Sequence, residues 1–89
     1  MIVEFDRSFV KSIDKISDKS VLGKIEKTIE KVESALNLAS VSNIKKLSGH
    51  KTYYRIRVGD YRIGLESISD SVVRFIIVAH RKEIYRFFP

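Results

Sequence analysis

The dipeptide Gly59-Asp60 constrains this chain more than any other feature, because one β-prone run ends just before it at Val58 and another begins just after it at Tyr61. A two-residue loop with glycine first is the connection of a tight antiparallel hairpin, and its length fixes the register of the strands it joins. Val58 then faces Tyr61, Arg57 faces Arg62, Ile56 faces Ile63 and Arg55 faces Gly64. Side chains alternate between the two faces of a strand. In the run Tyr54-Arg55-Ile56-Arg57-Val58 the apolar residues therefore share one face, and Arg55 and Arg57 stand on the other. The chain has to build a sheet with one greasy side and one arginine-bearing side.

A third β-prone run, Val72 to Ala79, follows the region Ile68 to Ser71, so Tyr53–Val58, Tyr61–Ser67 and Val72–Ala79 predict an antiparallel meander. The cover for its apolar face lies upstream. Phe9, Ile13 and Ile16 fall at helical spacing behind Asp6, Arg7 and Ser8, which can cap a helix, and the polar stretch at 17–20 interrupts the pattern. Leu22, Ile25, Ile29, Val32 and Leu36 then repeat three and four residues apart, with Lys24, Glu26, Lys27, Glu30, Lys31 and Glu33 between them. About two heptads are too few for a coiled coil, so the stripe predicts core packing against the sheet rather than dimerisation. Ile2 to Phe5 reads as a short strand, and residues 37–50 as a connection pinned to the core by Ile44 and Leu47. The end, His80 to Pro89, carries Ile84, Tyr85, Phe87 and Phe88 and is too apolar to fray, so it should fold back on the sheet as a short helical tail. The prediction is an α+β fold: a short N-terminal strand, then a helical hairpin on one face of the meander, with the other face left for binding. At 89 residues the chain fits a single domain, 1–89.

Composition narrows the function. With no cysteine and two histidines 30 residues apart, the sequence offers neither a disulfide framework nor a recognisable set of metal ligands, and no cofactor motif is present. There is no apolar run of membrane-spanning length and no leader pattern at the N-terminus, which leads to the expectation of a cytoplasmic protein. The net charge of +6 is unevenly placed: residues 1–44 hold seven basic and seven acidic side chains, residues 45–89 ten and four. The excess lies with the strands, where a polyanion would be met.

The facing pair Arg57 and Arg62 sharpens that expectation. Like charges directly opposite on neighbouring strands cost roughly 0.2–1 kcal/mol, and a sequence shaped by folding alone rarely chooses them. A bound phosphate would relieve the repulsion; the alternative is that the two splay apart and pair with Glu66 or the C-terminal carboxylate. Gly64 opposite Arg55 suggests a gap through which a ligand approaches, since glycine weakens a strand and often marks close contact. His80, Arg81 and Tyr85 follow the last strand and would reach the mouth of the same sheet, adding a titratable imidazole, a guanidinium and a phenol. His50 reads as a solvated loop residue.

Three segments together, Lys46-Leu47-Ser48-Gly49, the run from Tyr54 to Ile63, and His80-Arg81-Lys82-Glu83-Ile84-Tyr85, resemble the RelE/ParE toxin superfamily, with the helical hairpin in front extending the likeness over the whole chain. The resemblance implies a toxin held in check by a small cognate antitoxin, with oligomers formed only through that complex. RelE-type members cut mRNA in the ribosomal A site, so it further implies a metal-independent endoribonuclease. Carried over residue by residue, it points to Arg55, Arg57, Arg62, Arg81 and Tyr85; the expected catalytic group is Arg57, Arg62, Arg81 and Tyr85 together with His80, and Arg55 with Lys46, Lys51 and Lys82 are the expected contacts to RNA. In the best-studied member two lysines stand at the positions of Arg55 and Arg57, one of them proposed as general base, and arginine does not readily give up a proton. His80 is then the candidate base, as the side chain type that titrates near neutral pH. The alternatives are a ParE-type inhibitor of DNA gyrase, which binds without cutting RNA, and a degenerate toxin that only holds its antitoxin.

Overall fold

Five strands, β1 (Ile2–Phe5), β2 (Ile44–Lys46), β3 (Tyr53–Val58), β4 (Tyr61–Ser67) and β5 (Val72–His80), form one sheet in the order β1-β5-β4-β3-β2. Two helices, α1 (Arg7–Asp14) and α2 (Lys19–Ser34), precede β2, and a single-turn helix, α3 (Ile84–Phe87), follows β5. These assignments come from a computed structural model of residues Met1–Pro89.

The predicted meander is present with the hairpin register set by Gly59-Asp60: Arg57 pairs with Arg62 and Arg55 with Gly64. Gly59 takes the left-handed conformation (φ 59°) that a Gly-first loop requires. Two strands enlarge the sheet beyond the meander. β1 pairs parallel to β5, Ile2 against Val72 through Phe5 against Phe75, which makes the sheet mixed. The stretch read as a connection contains β2, antiparallel to β3, with Ile44 opposite Ile56, Lys45 opposite Arg55 and Lys46 opposite Tyr54.

Both helices begin at an aspartate. Asp6 accepts from the Ser8 amide (3.0 Å) and hydroxyl (2.5 Å), and Asp18 accepts from the amides of Ser20 (2.9 Å) and Val21 (3.3 Å), satisfying donors that a helix start leaves free. The Ser8 hydroxyl is also within hydrogen-bonding distance of the Ile76 carbonyl, which ties the start of α1 to the sheet. Phe9, Ile25 and Val32 from the helices meet Ile56, Val58, Ile63, Leu65, Val73, Phe75 and Val78 from the sheet in the main core. Leu36 departs from expectation: α2 ends at Ser34, and Leu36 is 94% exposed.

The opposite face is not left open along its whole length. The tail folds back as expected, and Ile84 and Phe88 join Leu47 in a second buried cluster against Tyr53, Ile76, Ile77 and Ala79. Gly64 is explained by this packing rather than by a ligand gap: a Cβ there would lie 2.6 Å from the Phe88 ring. The phenylalanine occupies the space that the missing side chain provides.

Candidate nucleic-acid interface

What the tail leaves uncovered is the end of the sheet next to the Gly59-Asp60 turn. Alternation puts Arg55 and Arg57 of β3, Arg62 of β4 and Lys45 of β2 on the face away from the helices. Asn43, Ile44, Lys45, Arg55, Arg57 and Arg62 enclose a shallow hollow of about 350 Å³. The ion pairs of the molecule are Arg74 with Glu4 (3.1 Å), Arg81 with Asp60 (3.8 Å) and Arg86 with Glu83 (2.9 Å). Lys45, Arg55, Arg57 and Arg62 therefore face the hollow without a carboxylate at ion-pair distance, and the alternative pairing with Glu66 is not formed. Such a concentration of unneutralised guanidiniums and one ammonium is an anion site in the chemical sense, because a phosphate can accept from several of them at once.

Each arginine is aimed by the backbone around it. Arg62 donates from one Nη to the carbonyls of Gly59 and Tyr61, both at 2.9 Å, so it clamps the hairpin turn and holds its own head in place. Arg57 donates to the Oδ1 of Asn43 (3.3 Å), a residue held at φ 62° in the left-handed region that asparagine tolerates. Burial lowers the pKa of Arg62 from the ordinary arginine value, the charges of Arg55, Arg57 and Arg81 act in the same direction, and Tyr85 opposes them. Arg55, Arg57 and Arg81 thus all lie near enough to Arg62 for their charges to act on it. Arg81 is brought there by the turn after β5, where its amide donates to the Asp60 carbonyl (2.7 Å). Tyr85, on α3, is 62% exposed.

Of the remaining expected residues, all but Lys82 lie elsewhere. His80 pairs with Tyr61 across β4 and β5, and the two rings meet edge to face at 5.7 Å. Tyr61 packs on the main core, and His80 lines hollows together with Ser12 and Lys15 of α1 and Ser20 and Lys24 of α2. The imidazole is therefore on the helix side of the sheet, and its Nδ1 accepts from the Lys82 amide (3.2 Å). Lys46, opposite Tyr54, also points to the helix side, whereas its neighbour Lys45, which sequence reading passed over, faces the arginines. Lys51 sits in the exposed loop between β2 and β3, at the far end of β3 from Arg57, and Lys82 is exposed in the turn beside Arg81. His50 is exposed as expected, with its ring against Tyr53.

This geometry coincides with a family likeness over nearly the full chain. Residues 3–85 match the model of the ParE toxin of type II toxin–antitoxin systems. The chain belongs to the RelE/ParE toxin superfamily. Toxin RelE3 of Methanocaldococcus jannaschii is 44% identical over 94 residues, with all of both chains covered. Among solved structures of the superfamily, the RelB–RelE antitoxin–toxin complex from Methanococcus jannaschii superposes with a TM-score of 0.80 at 38% identity, covering 97% of this chain and 99% of that one. The archaeal RelE–RelB complex from Pyrococcus horikoshii OT3 shares the fold at 21% identity, with a TM-score of 0.73 and coverage of 93% and 97%. This chain is accordingly a RelE-type toxin with the RelE α+β architecture.

Proposed function

We propose that this toxin is an endoribonuclease that cleaves mRNA in the ribosomal A site without a metal ion, and that a cognate antitoxin neutralises it. The observation that carries the reading is the unpaired opposition of Arg57 and Arg62, with Arg55, Arg81 and Tyr85 around it. The 2′-hydroxyl attacks the adjacent phosphorus and the bond to the 5′-oxygen breaks, leaving a cyclic phosphate and a free 5′-hydroxyl. The phosphorane on the way carries additional negative charge, and preorganised cations placed where charge develops are the largest single contribution available to such a site. Arg57, Arg62 and Arg81 supply them, and Tyr85 stacks on or orients a base. Arg55 and Lys82 hold the flanking backbone.

His80 enters as a residue that positions the turn, not as the proton acceptor, because its Nδ1 is engaged by Lys82 and its ring faces the helices. The attacking hydroxyl gives its proton to water, and the departing 5′-oxygen takes one up from water. The single-strand backbone of mRNA matches the hollow in charge.

Induced expression tests the reading. Growth stops with translation, mRNA is cut within coding regions, and chelating divalent cations affects cleavage no more than it affects the ribosome itself. Intact mRNA alongside trapped gyrase–DNA adducts points instead to the ParE type of activity.

A further inference from the structure

We propose that Lys45 and Arg55 form a second phosphate subsite, which holds the phosphate next to the one undergoing attack; this rests on the RNA-cleaving reading above. Lys45 stands directly opposite Arg55 across β2 and β3, just as Arg57 stands opposite Arg62 across β3 and β4. The face thus carries two successive pairs of opposed like charges. Each costs stability where it stands, and neither has a carboxylate partner. The two rungs are two residues apart along β3, about 7 Å, a separation that consecutive phosphates of an extended single strand can span. Both rungs open into the same hollow, with Ile44 and Asn43 completing its rim. Asn43 holds Arg57 through its side chain, so the rung that meets the reacting phosphate is braced from the turn that leads into the edge strand carrying Lys45.

One matched pair of substitutions isolates the subsite. Lys45 and Lys46 are adjacent, carry the same charge and face opposite sides of the sheet. Lys45→Gln should weaken binding of a short single-stranded oligonucleotide with uncleavable 2′-O-methyl riboses several-fold, measured by fluorescence anisotropy across a salt series. The slope of log affinity against log salt should fall by about 0.7, the value for one lost phosphate contact on a single strand. Lys46→Gln should leave affinity and slope near those of the parent protein, and Lys45→Arg should restore both. Thermal unfolding of Lys45→Gln should be unchanged or slightly higher, since one member of an opposed pair is gone.

Equal losses in Lys45→Gln and Lys46→Gln overturn the subsite, because net charge alone then accounts for binding. An unaltered Lys45→Gln beside weakened Arg57→Ala and Arg62→Ala also overturns it while leaving the RNA-cleaving reading in place. If the arginine variants bind the oligonucleotide as well as the parent does, both fail. Loss of antitoxin affinity alone in Lys45→Gln would reassign the rung to the protein partner.

Discussion

Arg62 and His80 show how much a single side chain's surroundings decide. Two carbonyl hydrogen bonds tether Arg62, while the facing Arg57 charge works against it. His80 has already found a backbone donor in Lys82 and an aromatic neighbour in Tyr61. A comparison of two substitutions separates positioning by His80 from proton transfer. Asparagine offers an oxygen near the place of Nδ1 and can keep the Lys82 amide satisfied, whereas glutamine places its polar group nearer Nε2. His80→Asn should therefore retain most cleavage and His80→Gln should lose more of it, read as single-turnover rates. Loss of roughly 10²- to 10⁴-fold in both variants would make His80 the general base after all. Asp6 gives a residue-scale prediction in pH. Its pKa is lowered, chiefly by the side-chain hydrogen bond from Ser8 and then by the Ser8 amide. A depressed carboxylate stabilises the fold above its unfolded value and loses that contribution as pH falls through the folded one. Asp6→Asn should thus lower the unfolding temperature at neutral pH, with the difference from the parent closing in acid; a constant difference at all pH values would contradict the assignment.

Among the elements, the β3–β4 hairpin was legible because a two-residue loop and strict alternation leave one register, and the arginine face followed from it. β2 was not legible, since a three-residue strand with one apolar residue, Ile44, shows no period, and Lys45 was lost with it. The side on which His80 lies was hidden for another reason. Gly64 pairs with Ile77 and Leu65 with Phe75, so Ile76 is an extra residue in β5. Counting in twos from Val73 and Phe75 puts Ala79 toward the helices, but the bulge reverses the parity, leaving Val78 and His80 there and Ala79 beside Arg62. The parallel β1–β5 pairing depends on the chain reversing through both helices, and no local pattern reports it. Gly64 was legible as an oddity, and only the tail says why. Gly64→Ala should collide with Phe88 and destabilise the protein by about 1–3 kcal/mol, as overpacking does. Amide exchange in α3 should rise with it, because the ring that anchors the tail loses its seat. Unaltered stability and an unaltered tail would mean that Phe88 is not the anchor.

At the scale of the molecule, the two faces of the sheet divide the labour. One buries the core beneath α1 and α2; the other is closed by the tail at its middle and left cationic at the turn end. An antitoxin that neutralises this toxin should therefore protect the β3–β4 arginine strands or displace residues 82–89. Hydrogen exchange on the complex reads this directly, and protection confined to α2 with Arg57 and the tail unchanged would contradict it. Whether the arginine face exists for chemistry rather than for folding is tested by Arg62→Ala, assayed in single-turnover cleavage of mRNA on programmed ribosomes beside thermal unfolding. Removing Arg62 forfeits two hydrogen bonds at the rim of the turn, each worth about 0.5 kcal/mol there, at the low end of the usual range, and relieves a repulsion from Arg57 of similar size. Arg62→Ala should keep stability within about 1 kcal/mol of the parent and lower the cleavage rate by roughly 10²- to 10³-fold, the usual consequence of deleting a positioned donor to a developing charge. A variant that unfolds readily yet keeps its full rate per folded molecule would show the arginine face to be structural.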